Sequence, residues 1–270
     1  MLAARADRNA LVTALQARRL DRTLTTALPA IDPHDDQAVG ATGLPPLDSR
    51  LGGGLPRGQL SEIVGPRSSG RTSLLLQVMA AATARGELVA LVDALDMLDV
   101  ASAAAAGVDL ARLLWVRGHV VTNPGFCRDL NQRAMEQALK ALGLVLQAGN
   151  IGLVALDLGD APQDAVRRLP FTTWLRLQRM VEGSQAICVL VGNAPMSRSS
   201  AGLSITLQPS SPAGVAVDRD VAADLEVRKS ARFVGHLFDG LDLEARVGRA
   251  RVHGTDSVAL PLATKVARDV

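Results

Sequence analysis

The sequence predicts an α/β protein with a mostly parallel β-sheet flanked by helices, and three observations lead to this prediction. The chain has 270 residues, of which 48% are apolar and 21% are charged, so it can bury a sizeable core. Apolar runs without polar alternation are separated by helical patterns, which is typical of a sheet covered on both faces. A loop rich in glycine and serine joins the first of these runs to an apolar helix.

The elements of the core follow one another from about residue 44. Strands are predicted where apolar runs are uninterrupted, and helices where apolar residues recur at helical spacing. In chain order these are the strand 60–64, the loop 65–70, the helix 73–84, the strand 88–92, the helix 100–106, the strand 113–116, the helix 131–147, the strand 151–156, the helix 170–181 and the strand 186–191. Short runs punctuated by glycine and proline then predict hairpins added to one edge of the sheet, at 202–207, 223–228, 232–238 and 243–247.

The first part of the chain differs from this core. Residues 1–24 carry five arginines, with leucines between them at roughly helical spacing, which predicts a short basic amphipathic helix. A stretch rich in proline, aspartate and glycine follows and predicts a linker. Arg18, Arg19 and Arg22 are therefore candidate contacts with DNA or with an acidic partner. A helix packed on the main domain is the alternative interpretation.

The composition indicates the broad class of protein to which the chain belongs, and changes of pattern along the chain divide it into three parts. A net charge of +2 with high apolar content excludes a disordered chain, and two cysteines are too few for a disulfide framework. The sequence has no run of 18 apolar residues and no signal-like segment, so we expect a soluble, cytoplasmic protein that does not enter a membrane. The predicted parts are an N-terminal helix and linker (1–43), a core (44–240) and a C-terminal β-rich extension (241–270).

The loop between the first strand and the first long helix has the pattern of a phosphate-binding loop. It fits G-x4-G-K-[ST], except that arginine stands in the place of the lysine. In such loops backbone N–H groups and the helix N-terminus surround phosphate oxygens, and a hydroxyl such as that of Thr72 binds Mg²⁺. Arg71 is wide and planar where the lysine is a compact charge, so we expect any nucleotide binding to be weak or vestigial. The predicted nucleotide-binding residues of the loop are Gly65, Ser69, Gly70, Arg71, Thr72 and Ser73.

Beyond this loop the sequence resembles the ATPase core of the RecA recombinases. The resemblance lies in LDSRLGGGLPRG at 47–58, in EIVGP at 62–66, in the phosphate loop itself, and in LVDA at 91–94 followed by GVD at 107–109. It extends from about residue 44 to 240 and is densest before residue 110. It implies a RecA-type core whose nucleotide site lies at the carboxyl ends of the strands.

When the sequence is compared with the RecA core position by position, the resemblance implies a degenerate ATPase site. Asp157 matches the aspartate that holds Mg²⁺ through water, although a strand-end aspartate that caps the next turn is the alternative. Asn193 stands at the glutamine that senses the γ-phosphate, and Lys229 matches a lysine that reaches the nucleotide of a neighbouring subunit. Leu95 stands at the catalytic glutamate, and leucine cannot orient or deprotonate water. Asp96 is adjacent, but on an extended backbone it would point to the opposite side.

The segments that match the DNA-binding loops of RecA are short and weakly basic. Residues 159–170 offer only Arg167 and Arg168 as cations, and residues 194–200 offer only Arg198. Neither segment has an aromatic platform for stacking bases. We therefore expect direct DNA binding to be weak or absent, and Arg167 and Arg168 are candidate contacts with a partner or with DNA.

A short RecA-like chain with an altered phosphate loop, trimmed DNA loops and extensions at both ends is similar to the ImuA family. These proteins are RecA-like accessories of the bacterial damage-inducible mutasome and are sometimes labelled SulA-like. The resemblance implies a non-catalytic adaptor in the DNA damage response that requires no cofactor and promotes translesion synthesis. The implied partners are RecA, the Y-family polymerase homologue ImuB and an error-prone replicative-type polymerase.

Two other functions remain as alternatives. The first is an active DNA-dependent ATPase that binds ATP and Mg²⁺, in which Arg71 replaces the lysine and Asp96 replaces the glutamate. The second is a SulA-like inhibitor of cell division.

Overall fold

The computed structural model describes residues 39–118, 128–182, 184–197, 202–210, 231–234, 237–248 and 259–263. The strands are β1 (Val39–Gly40), β2 (Leu55–Pro56), β3 (Leu60–Val64), β4 (Val89–Asp93), β5 (Leu113–Arg117), β6 (Leu153–Asp157), β7 (Ile187–Gly192), β8 (Leu203–Pro209), β9 (Ala231–Val234), β10 (Leu237–Gly248) and β11 (Ala259–Ala263). The helices are α1 (Pro45–Arg50), α2 (Arg71–Ala84), α3 (Val100–Ala105), α4 (Arg128–Ala148), α5 (Gln163–Arg167) and α6 (Phe171–Val181). No helix in these ranges is long and apolar enough to cross a membrane.

One large mixed sheet organises the protein and confirms the predicted fold class. Its strand order is β11-β10-β8-β3-β7-β6-β4-β5, and β9 pairs with β10. The six strands from β8 to β5 are parallel to one another, whereas β10 is antiparallel to its neighbours β8, β9 and β11. Every residue of β3, β4 and β7 is buried, because helices cover both faces of the sheet.

Two apolar layers form the core, one on each face of the sheet. Successive residues of a strand point to opposite faces, so Leu91 packs in one layer and Val92 in the other. The layer that contains Leu91 is completed by α2 and α3, through residues such as Met79. The opposite layer is completed by α4, α5 and α6, through residues such as Met135 and Trp174. This arrangement leaves the carboxyl ends of the parallel strands free to carry a site.

The late strands join one edge of the parallel sheet, as predicted, but their pairing differs in part from a series of hairpins. β8 does not form a hairpin with β7 but lies parallel to β3, where Leu203, Ile205 and Leu207 point into the core. The single run predicted at 232–238 is two antiparallel strands, β9 and β10. The chain pattern could not show these pairings, because strand partners are chosen by contacts far apart in sequence. The segments 1–24 and 223–228 lie outside the described residues, and the domain boundaries remain predictions.

A buried ion network lies at the amino ends of the strands, away from the phosphate loop. Arg57 Nη2 and Arg85 Nε both donate to Glu87 Oε1, at 2.6 and 2.9 Å. Arg57 Nη1 also donates to the carbonyl oxygen of Gln185 at 2.9 Å, and Arg85 Nη1 donates to that of Ala41 at 2.7 Å. The network therefore ties the segments before β2, β3, β4 and β7 together.

Candidate nucleotide site

The predicted phosphate loop lies between β3 and α2, and close contacts with β8 and β10 fix its glycines. Gly65 packs so tightly against the Leu207 carbonyl that a Cβ atom there would overlap it. Gly70 precedes the first residue of α2 with a φ of 82°, and a Cβ atom there would overlap the Leu243 side chain. Helix α2 accordingly begins at Arg71, two residues before the predicted start. Thr72 and Ser73 are exposed in its first turn.

The side chain of Arg71 is used inside the protein. Its Nη1 group donates to Asn193 Oδ1 at 2.6 Å and to the Gly159 carbonyl oxygen at 3.2 Å. Only 7% of the residue is exposed. Burial lowers the pKa of its guanidinium, whereas the nearby carboxylates of Asp157 and Asp160 raise it. Arg71 thus joins the start of α2 to the loops that follow β6 and β7.

Asp157 ends β6 and contacts the turn that follows. Its Oδ1 atom accepts a hydrogen bond from the Gly159 backbone N–H at 2.7 Å. Burial raises the pKa of this carboxyl to about 6, and the negative charge of Asp93 acts in the same direction. The hydrogen bond from Gly159 and the positive charge of Arg71 act against this rise. The carboxylate that matches the Mg²⁺ position is therefore already engaged by its own loop.

A second arginine connects the phosphate loop to the loop after β6. Arg67 donates to Asp160 Oδ1 from both Nε and Nη2, at 3.0 and 2.9 Å. Together with the contacts of Arg71, this pair means that two guanidinium groups face two carboxylates across the predicted cradle. A triphosphate needs those positive charges for itself, so it must compete with both contacts.

The residues present do not fit a bound ATP–Mg²⁺ complex in this arrangement. The side chain at the lysine position contacts the side chain at the γ-phosphate-sensing position, and one oxygen of Asp157 is occupied. Among the described residues, no group of three or more His, Cys, Asp or Glu side chains is placed to hold a metal ion.

The residues after β4 are the ones that the resemblance compares with the catalytic base. Leu95 is 5% exposed and packs in the apolar layer formed with α4. The backbone is not extended here, as the prediction for Asp96 assumed, because β4 ends at Asp93 and Asp96 adopts a φ of 60°. The Asp96 carboxylate forms two 2.7 Å hydrogen bonds with Arg117, and these bonds lower its pKa.

Asp93 is also committed to local structure. Its Oδ2 atom accepts hydrogen bonds from the Leu98 backbone N–H at 2.8 Å and from the Trp115 indole N–H at 3.2 Å. The residue is 2% exposed. Asp93, at the end of β4, and Asp96, three residues later, therefore hold a turn and the edge strand β5, and both carboxylates are already bonded within the protein.

The remaining candidate residues are dispersed. Arg167 and Arg168 lie exposed at the end of α5, on the side of the site formed by the loop after β6. Arg18, Arg19, Arg22, Arg198 and Lys229 lie outside the described residues. The structure thus brings Arg71, Asp157 and Asn193 together, as the resemblance implied, but with Arg71 bonded to Asn193.

Glu62 and the Arg67–Asp160 pair were not identified from the sequence. Glu62 lies in β3, is 1% exposed, and accepts hydrogen bonds from the backbone N–H groups of Met196 and Ser197 at 2.9 and 2.6 Å. It therefore fixes the segment after β7. One signal was available, since a glutamate in the middle of a run that is predicted to be a buried strand must have buried partners.

Comparison with known proteins identifies RecA proteins as relatives of this chain. Residues 28–163 match the family model of the RecA N-terminal domain, a segment that contains the phosphate loop and Asp157 and ends before β7. The Protein RecA of Chlorobium chlorochromatii is 29% identical over 231 residues, which cover 80% of this chain and 59% of that protein. For Chlorobium limicola the identity is 30% over 207 residues, 71% of this chain and 54% of its RecA. Bordetella petrii RecA is 42% identical over 125 residues, 46% of this chain and 31% of that protein. The chain thus spans less than two thirds of the length of these relatives.

Proposed function

The chain belongs to the family of the RecA N-terminal domain, and on this premise we propose that it is a non-catalytic, RecA-like adaptor in the DNA damage response. Its proposed partners are RecA and the ImuB-containing mutasome, with the error-prone polymerase as a further member. In this role it modulates RecA on single-stranded DNA and promotes translesion synthesis. The more specific assignment to the ImuA family is part of this proposal.

The observation that carries the proposal is the bond from Arg71 to Asn193. In an active site the side chain at position 71 must bind phosphate oxygens, but here it is buried and bonded to the residue at the γ-phosphate-sensing position. Leu95 supplies no base, and Asp96 is paired with Arg117. Each of these changes removes roughly several kcal/mol of transition-state stabilisation. The competing function is a DNA-dependent ATPase. It needs the Arg71 side chain on the phosphate oxygens and the Asp96 carboxylate beside the attacking water.

ATP turnover separates these two functions. We expect neither turnover nor a thermal shift with ATP and Mg²⁺, with or without single-stranded DNA, for the unmodified protein and for Arg71→Ala. The exposed Arg179→Ala serves as a matched control for loss of an arginine. Turnover that Arg71→Ala abolishes and Arg179→Ala preserves would overturn the adaptor proposal in favour of the ATPase.

An exposed sheet edge supports an interaction with RecA. Strand β5 pairs only with β4 among the described strands, so no described strand covers its outer backbone groups. Leu114 of this strand is 50% exposed. A RecA-like core can offer one half of the interface by which recombinase subunits contact each other, and an apolar strand edge suits such a contact.

Titration of the protein against RecA filaments and against purified ImuB tests the proposed partners. We expect saturable binding to RecA, and we expect Leu114→Asp to weaken the affinity by about tenfold or more. A tenfold loss corresponds to roughly 1.4 kcal/mol of binding free energy, as expected for a charge placed in an apolar contact. Leu144→Asp, on the 69% exposed leucine of α4, should leave the affinity unchanged. Lack of affinity for both proteins would remove the adaptor proposal.

A further inference from the structure

A pocket of about 360 Å³ opens between α5, the start of α6 and the segment after β7. Its walls are mainly apolar and include Phe171, Trp174 and Met196. The volume is within the range of sites that bind small molecules or single side chains of a partner. The nucleotide site does not use this pocket, although Asn193 belongs to both.

The pocket is held in shape by buried contacts. Glu62 accepts the backbone N–H of Met196, which lines one wall, and Trp174 is only 3% exposed on the opposite wall. Neither wall needs to be ordered when a ligand enters, so little conformational entropy is lost on binding.

The charge at the pocket is positive. Arg167 is the only charged residue among the described residues that line it, and it is exposed. Asp164 lies one turn earlier on α5 but forms no ion pair with it, and Asp160 is bonded to Arg67. An anionic group at the mouth of the pocket would therefore meet a guanidinium that has no described acidic partner.

The polar groups of the pocket do not suit a nucleobase. A buried base needs partners for the hydrogen-bonding groups along its edge, but only two of the described side chains that line the pocket, Gln163 and Asn193, carry amides, and Asn193 Oδ1 is already occupied by Arg71. The Trp174 ring is packed into the core, and Phe171 packs against the same apolar layer. An apolar side chain requires neither hydrogen bonds nor a stacking face, so a peptide matches the pocket better.

We infer that this pocket binds a partner protein through a short peptide, which inserts a bulky apolar side chain and places a carboxylate against Arg167. The inference rests on the proposed adaptor function, because it identifies a docking site that such an adaptor needs. It concerns a surface separate from the β5 edge. The peptide also contacts Asn193, the residue that holds Arg71 in place.

Fluorescence polarisation of labelled octapeptides, with the whole 270-residue chain, tests this inference. The probes carry glutamates on both sides of a central pair drawn from leucine, phenylalanine and tryptophan. Matched probes have serines at the centre or lysines in place of the glutamates, and a labelled twelve-nucleotide oligothymidine represents DNA. We expect saturable binding of the acidic apolar peptides, and at least tenfold weaker binding of both matched peptides.

Two variants and a control locate the binding. Arg167→Glu should weaken the acidic apolar peptide at least tenfold, and Ala194→Trp, which fills the pocket from its rim, should abolish binding. Arg179→Glu removes an exposed arginine of α6 that does not line the pocket and should change the affinity less than twofold. Thermal melting of each variant verifies that it is folded.

Three results would overturn the inference: no binding of any acidic apolar peptide, equal loss with Arg179→Glu and Arg167→Glu, or oligothymidine binding that Ala194→Trp abolishes. The assay contains neither RecA nor ATP. A negative result here therefore leaves the titration with Leu114→Asp unaffected, and failure of that titration leaves the pocket result unaffected.

Discussion

Replacement of Leu95 by glutamate is expected to destabilise the protein by more than about 3 kcal/mol and to produce no ATPase activity. The substitution restores the residue type that the resemblance to the recombinases places here. Leu95, however, is 5% exposed and packs in the same apolar layer as Met135 and Leu139. A carboxylate in that layer has no partner, so it must be buried at great cost or be expelled with its turn.

Urea unfolding and an ATP turnover assay measure the two parts of this prediction. Leu95→Met is the matched control, because it keeps the volume and apolar character of the side chain and should cost less than about 1.5 kcal/mol. A stable Leu95→Glu protein that hydrolyses ATP would show that position 95 faces a nucleotide, contrary to the packing described above.

Replacement of Glu87 by alanine is expected to lower the free energy of unfolding by about 3 to 5 kcal/mol. The side chains of Arg57 and Glu87 are 5% and 4% exposed, and Glu87 also accepts from Arg85. Without the carboxylate, the buried guanidinium of Arg57 loses its counter-charge, while water cannot reach it easily. The loss of stability arises from the unpaired charge that remains on Arg57, and not only from the lost attraction between Arg57 and Glu87.

Chemical denaturation followed by circular dichroism measures this effect. Glu136→Ala is a suitable control, because Glu136 is exposed on α4 and should contribute no more than about 0.5 kcal/mol. A loss below about 1 kcal/mol for Glu87→Ala would mean that water or a rearranged side chain replaces the carboxylate.

Much of the fold followed from local patterns in the sequence. Continuous apolar runs identify buried parallel strands such as β4 and β7, because both of their faces must be covered. The glycines at 65 and 70, set between a strand and a helix, identify the phosphate loop because few other residues fit such a close turn. The resemblance to RecA added Asp157, Asn193 and Leu95 as the positions that matter chemically.

The partners of individual side chains did not follow from those patterns. The sequence places an arginine at position 71 but does not show that it bonds with Asn193, which is 122 residues away. The same holds for Arg67 with Asp160, separated by 93 residues, and for the parallel pairing of β8 with β3. The pattern of the sequence predicts an extended backbone at Asp96, but the residue adopts a left-handed conformation and bonds with Arg117, 21 residues away.

These differences have one physical reason. The spacing of apolar residues and the positions of glycines depend on the local structure of a few neighbouring residues. The strands, the helices and the phosphate loop can therefore be predicted directly from the sequence. The charge balance of the site depends on side chains that the folded sheet brings to one edge from β3, β6 and β7. In this protein that edge joins Arg71 to Asn193 and Arg67 to Asp160, so both arginines of a loop with the pattern of a nucleotide site are already bonded within the protein.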